Sequence, residues 1–227
     1  MTTDGTTNDV LEVLYTTRAM RRVKDDPIPD DVLALILDAA VRAPSGGNSQ
    51  SWRFLVVDDP DLRGQLAPIY RECIDLLWEH VYKPRLDAAK AAPDDPESVQ
   101  LMKIFASVEH AADNFGRYPA LLFGFAQHDP SGGSIYPALW SAMLAARSQG
   151  VGSTLTSVFQ FKGEQVLDLL GVPKDEGWIM AGCVTLGYPT GRWGVAARRP
   201  AEEVAHRNRW GAPLGFTVDG PRWKGPA

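Results

Sequence analysis

Four short segments concentrate residue types suited to holding a ligand: "TTRAMRR" (16–22), "APSGGNSQSW" (43–52), "QGVGSTLTS" (149–157) and "GVAARRP" (194–200). Arg18, Arg21 and Arg22 share one turn, and Arg198 and Arg199 precede a proline. Such pairs either grip a phosphate through charge-assisted forks or stand as solvated surface charge. In the second segment, Gly46 and Gly47 permit positive φ, and the amides of Asn48 and Gln50 offer donors and acceptors that suit a flat, polar-edged heterocycle. A helix cap followed by a plain loop is the alternative there. Thr154, Thr156 and Ser157 supply either hydroxyl and backbone donors or an ordinary strand edge. Each segment sits where a regular element ends, so the four read as parts of one divided site.

Other chemistries are poorly served. The G-x-G of "QGVGST" follows a helix instead of preceding one, so it fails as a dinucleotide fingerprint. His80, His110, His128 and His206 show no triad or metal spacing, and Ser45, Ser49 and Ser51 lack a nucleophile elbow. Cys73 and Cys183 are far apart, without a CxxC partner, and read as buried thiols. No metal is expected. A net charge of −5 argues against a nucleic-acid partner. The polar start "MTTDGTTND" has no apolar leader core, and no run approaches bilayer length, so a cytoplasmic protein without a membrane partner is expected.

The elements that must position these segments can be traced along the chain. At 227 residues and 44% hydrophobic content, one domain with a sizeable core is expected, residues 1–7 being flexible and 192–227 an extended, wrapping tail. Residues 8–17 predict a helix with Val10, Leu11 and Leu14 on one face and Asn8 as cap. "PIPDDVLALILDAAVRAP" predicts a second, with Val32, Leu35, Ile36 and Ala39 at helical spacing and Pro44 as its stop. "WRFLVV" reads as a strand, "DLRGQLAPIYRECIDLLWEHVY" as a helix interrupted near Pro68, and 97–115 as a further helix. "YPALLFGFA" and "WIMAGCVTLGYP" are buried strands, with "SIYPALWSAMLAARSQG" and the short "GEQVLDLLG" as helices between them.

Taken in order, the four segments resemble the FMN-dependent nitroreductase family from about residue 8 to about 205. "APSGGNSQSW" is similar to the family's Ala-Pro-Ser run before the first core strand, and "TTRAMRRV" to its Arg-Arg-Ser-x-Arg segment. The resemblance implies an α+β fold: a three-layer sandwich whose mostly antiparallel central sheet is flanked by helices, in an intertwined homodimer with two shared FMN sites. It implies that Arg18, Ala19 and Arg21 face the ribityl phosphate and pyrimidine edge. Arg198 and Arg199 match the family's C-terminal phosphate-binding residues. Ser45, Gly46 and Asn48 match residues that come from the other subunit, and Leu155, Thr156 and Ser157 match the segment beside the flavin's reactive face. The flavin, not a side chain, would carry the chemistry, taking hydride from NADH or NADPH for a small electrophilic acceptor such as a nitroaromatic or quinone by a ping-pong route. Dehalogenation, enone reduction, or flavin binding without turnover are the rivals. Thr17, Ala19 and Ser51 depart from the family pattern, as do Trp140 and Ser141, where many relatives carry Gln-Asn; Trp140 reads as packing.

Overall fold

In the computed structural model, residues 5–218, 220 and 223 are described. Four strands, β1 (Trp52–Val57), β2 (Ala120–Ala126), β3 (Gly152–Thr156) and β4 (Ile179–Gly187), form one antiparallel sheet in the order β1-β2-β4-β3. The inner strands β2 and β4 are buried almost throughout, which is why they read as unbroken apolar runs.

Helices cover both faces. On one lie α2 (Asp30–Ala40) and α6 (Ile135–Ser148), sealing a core with Leu122, Val184 and Leu186 of the sheet. On the other lie α3 (Pro60–Leu77), α5 (Pro96–Asp113) and α7 (Gly163–Leu169), over Leu121, Phe123 and Cys183. Successive residues of β2 thus serve opposite layers, as strand geometry requires. The α+β, three-layer sandwich expected from the sequence is the fold observed.

Several local expectations need correction. Helix α1 (Val10–Thr16) is capped by Asp9, whose carboxylate accepts from Leu11 N and Glu12 N, not by Asn8. Its apolar residues Val10, Leu11 and Leu14 are exposed, while Glu12, Val13 and Thr16 are the buried ones. In α2 the core face is Leu33, Ile36 and Ala40, and Leu35 points outward. Pro68 does not interrupt α3: the lost N–H bond is outweighed by the burial of Leu66, Ile69, Tyr70, Cys73 and Ile74 along the same helix. A π-helical turn, Trp78–Tyr82, then leads into α4 (Lys83–Ala91), a helix that the sequence pattern did not reveal. Of residues 1–7, the first four lie outside the described residues; Gly5 O accepts from Arg147 and Thr7 N donates to Ser148 O. The tail holds a short α8 (Ala201–Val204), and residues 219, 221, 222 and 224–227 lie outside the described residues. Both cysteines are buried and free; burial pushes the Cys73 thiol up to about 11 and Cys183 higher still, so neither is a ready nucleophile.

Candidate functional site

The segment after α1 is built into the sheet edge. Thr16 and Thr17 turn their hydroxyls back onto Glu12 O and Val13 O at 2.6 and 2.7 Å, and Thr17 adopts extended geometry that ends the helix. Ala19 then bridges Ser153 of β3 in parallel, Met20 N donates to Ser153 O, and Val23 bridges Pro189 beyond β4. Gly152 and Gly187 make this approach possible: a Cβ on either would stand 2.8 Å from Met20 Cβ or 2.7 Å from Val23 Cγ2. The G-x-G spacing therefore serves backbone packing here, with Gly150 in the left-handed conformation after α6.

This crossing sets Arg21 beside two buried phenols. Tyr118 Oη donates to Arg21 O at 2.9 Å, and an Arg21 Nη1 reaches Ser107 Oγ on α5 at 3.5 Å. Burial pushes the Tyr70 phenol above its ordinary range, against a hydrogen bond with Thr156 and the charge of Arg21 nearby. Burial likewise raises Tyr118. Arg21 and Thr156 thus meet at one place, although neighbouring Leu155 and Ser157 are exposed at the end of edge strand β3. Sequence reasoning missed Tyr70, Ser107 and Tyr118, because only the packing of α3 and α5 on the sheet brings them here.

Arg18 is exposed and donates to Arg192 O at 3.2 Å, which ties the segment to the start of the tail. A few residues on, exposed Arg198 and Arg199 join Leu14 and Tyr15 of α1 and Thr17 of the first segment around a cavity of about 520 Å³. Trp140 of α6 lines the same cavity and is 42% exposed. Among the described residues, Arg18, Arg21, Arg198 and Arg199 make no ion pair, whereas Arg42, Arg71, Arg117 and Arg147 each have a carboxylate partner. Arg198 and Arg199 line the cavity beside α1, whereas Arg21 lines a separate cavity of about 170 Å³ with His110, Asn114 and Tyr118.

The loop with Ser45, Gly46 and Asn48 borders a different cavity of the chain. It forms a 3₁₀ turn, Gly46–Asn48, in which Gly47, Asn48 and the following Gln50 take φ of 58°, 54° and 50°. Left-handed geometry costs an Asn or Gln something, and it is held here by side chains: Ser45 Oγ accepts from Gln50 N, and Gln50 Nε2 donates to Asn48 Oδ1 at 3.1 Å. Gly46 N donates to Ser134 Oγ at 3.3 Å, and Gly46 borders a separate cavity of about 390 Å³ with residues 127–134. Asn48 itself is exposed. One chain therefore assembles two parts of the candidate site at two places: the arginines with β3, and the amide loop.

Among the described residues, no cluster of three or more His, Cys, Asp or Glu could hold a metal, and no helix is long and apolar enough to cross a membrane. A NADH dehydrogenase of Thermus thermophilus is 27% identical over 205 residues, covering 82% of this chain and 90% of that protein. Among solved structures, an iodotyrosine deiodinase bound to FMN and 3-iodo-L-tyrosine superposes with a TM-score of 0.62 at 23% identity, over 83% of this chain and 97% of that one. A nitroreductase with bound FMN from Bacteroides fragilis superposes with a TM-score of 0.59 at 22% identity, over 85% and 96%. The nitroreductase family's sequence profile matches residues 14–188, from the exposed face of α1 to the end of β4, and the chain belongs to that family.

Proposed function

We propose that this chain is an FMN-dependent oxidoreductase that takes hydride from NADH or NADPH and reduces a small electrophilic acceptor, a nitroaromatic or a quinone, as a homodimer with shared sites. The observation that supports this reading is the pair Arg198 and Arg199, without carboxylate partners among the described residues, on the cavity beside α1, with Arg18 tied to the start of the same tail, in a chain of net charge −5. When bound, FMN supplies two-electron chemistry between nicotinamide and acceptor.

The protein's residues supply the rest. Arg198 and Arg199 hold the phosphate, with Arg18 at the same end of the site. Arg21 brings a positive charge toward the flavin, which favours its electron-rich state. Ala19, with no side chain beyond Cβ, leaves room beside β3, where Leu155, Thr156 and Ser157 line the ring. Ser45, Gly46 and Asn48 reach the flavin of the neighbouring subunit, which accounts for an amide-rich loop braced away from its own chain's arginines. Exposed apolar residues on α1 and α6 favour the dimer: Val10, Leu11, Leu14 and Trp140 are 66, 42, 44 and 42% exposed.

Dehalogenation is the second reading, favoured by the likeness to the deiodinase structure. Purified protein titrated with FMN should bind about one per chain, as a symmetric two-site dimer requires. Initial rates of NADH or NADPH oxidation against a quinone or nitroarene should give parallel double-reciprocal lines. Failure to take up FMN would remove the flavin reading, and intersecting lines would remove the ping-pong order.

A further inference from the structure

The last turn of α6 carries Arg147, whose side chain is 1% exposed. Its guanidinium is committed in three directions: Nε donates to Thr16 Oγ1 at 2.7 Å, Nη1 to Gly5 O at 2.9 Å and Nη2 to Glu12 Oε1 at 3.0 Å. The other Glu12 oxygen accepts from Thr7 Oγ1 at 2.8 Å, so the carboxylate is also satisfied. With every edge of the guanidinium directed, its plane is fixed. Against that plane lies Trp193, with its ring centroid 4.1 Å from Arg147 Cζ. The residue before it, Arg192, accepts from Arg18. The tail is therefore fastened at two consecutive residues, by one cation under the indole and another at the carbonyl.

Arg198 lies five positions beyond Trp193, a reach of at most about 17 Å. Beyond the anchor, among the described residues, the hydrogen bond of Arg198 is to its neighbour, Nη1 to Ala197 O at 2.9 Å. A bare tail would have to lose its freedom on binding a ligand; a tail already fastened has lost part of it beforehand.

We infer that Trp193, stacked on the Glu12-held Arg147, is a positioning residue that aims Arg198 and Arg199 at an oxyanion, so that the buried ion pair sets selectivity for a phosphorylated ligand. This rests on the flavin reading above and names what that site selects. A merely structural Trp193 would affect phosphorylated and unphosphorylated flavins alike.

The test compares FMN with riboflavin, which lacks only the phosphate. In W193L, FMN affinity should fall about 10-fold while riboflavin affinity changes less than about 2-fold, the scale of one lost cation–π anchor and its ordering. W193F should restore most of the loss. R198A/R199A placed in the W193L background should cost less than it costs in wild type, because the two lesions act on one interaction. In the flavin-free protein, trypsin should cut after Arg198 faster in W193L than in wild type. Parallel loss of both flavins, unchanged FMN affinity, full additivity or unaltered cleavage would each overturn the positioning role. A wild type that binds neither flavin would instead overturn the flavin reading itself, and the role with it.

Discussion

Replacing Arg198 and Arg199 together with alanine should weaken FMN binding by about 3 kcal/mol, on the order of 150-fold, because two charge-assisted phosphate contacts are lost at once. Riboflavin affinity should hardly move, and thermal stability should be unchanged, since both side chains are exposed and neither is in an ion pair among the described residues. Fluorescence titration of each flavin against the flavin-free protein measures this. Arg18, beside the start of the tail, already donates to Arg192 O. FMN affinity equal to wild type would assign Arg198 and Arg199 to solvent.

The second large effect is on stability. Removing the carboxylate in E12L strands the Arg147 guanidinium, charged and 1% exposed, with only Thr16 and Gly5 as polar partners. Burial already pushes Arg147 below its ordinary pKa, against the pull of Glu12. Breaking one side of such a pair costs about 3–5 kcal/mol, whereas replacing both members by apolar groups of similar volume is often close to neutral. Urea denaturation should therefore show E12L strongly destabilised and E12L/R147M largely recovered. The recovered double variant should still show selectivity for FMN over riboflavin reduced about 10-fold, as in W193L, because Trp193 no longer has a cation to stack on. A destabilisation of E12L under about 1 kcal/mol would show that the pair does not hold the end of α1 to α6.

What could be read from the sequence was what is local. The strands β2 and β4 announced themselves because both of their faces are covered, and α2 because its acids mark its start, although it ends at Ala40, four residues before the expected stop at Pro44. Asn8 and Asp9 are both capping residue types one position apart, so propensity alone could not choose between them; the hydrogen bonds to Leu11 and Glu12 select Asp9. α4 escaped because it buries little beyond Leu86 and Ala89 and so has a weak apolar stripe. The apolar face of α1, legible in sequence as Val10, Leu11 and Leu14, is exposed in the single chain.

The candidate site divides along the same line. Positive-φ glycines and bunched arginines are visible in a few consecutive letters, and the structure places them at element ends as that spacing suggests. The Arg147–Glu12 pair is 135 residues apart and carries no local mark, because a lone arginine near a helix end usually stands in solvent. Tyr70 and Tyr118 looked like ordinary core aromatics for the same reason, and it is the Arg21 segment crossing the sheet edge that gives them a neighbour of functional interest.

The central claim is that one chain's arginines and another chain's amide loop complete each site. Complementation tests it directly. R18A and N48A, each first shown to be folded but nearly inactive alone, are co-expressed and the mixed dimers assayed for NADH or NADPH oxidation. In a mixed dimer with divided sites, one site inherits both lesions and the other neither. With random pairing about half the dimers are mixed, so about a quarter of wild-type activity per site should return. If Arg18 and Asn48 served the same chain's flavin, every site would carry one lesion and no activity would reappear, contradicting the divided site even in a protein that binds FMN.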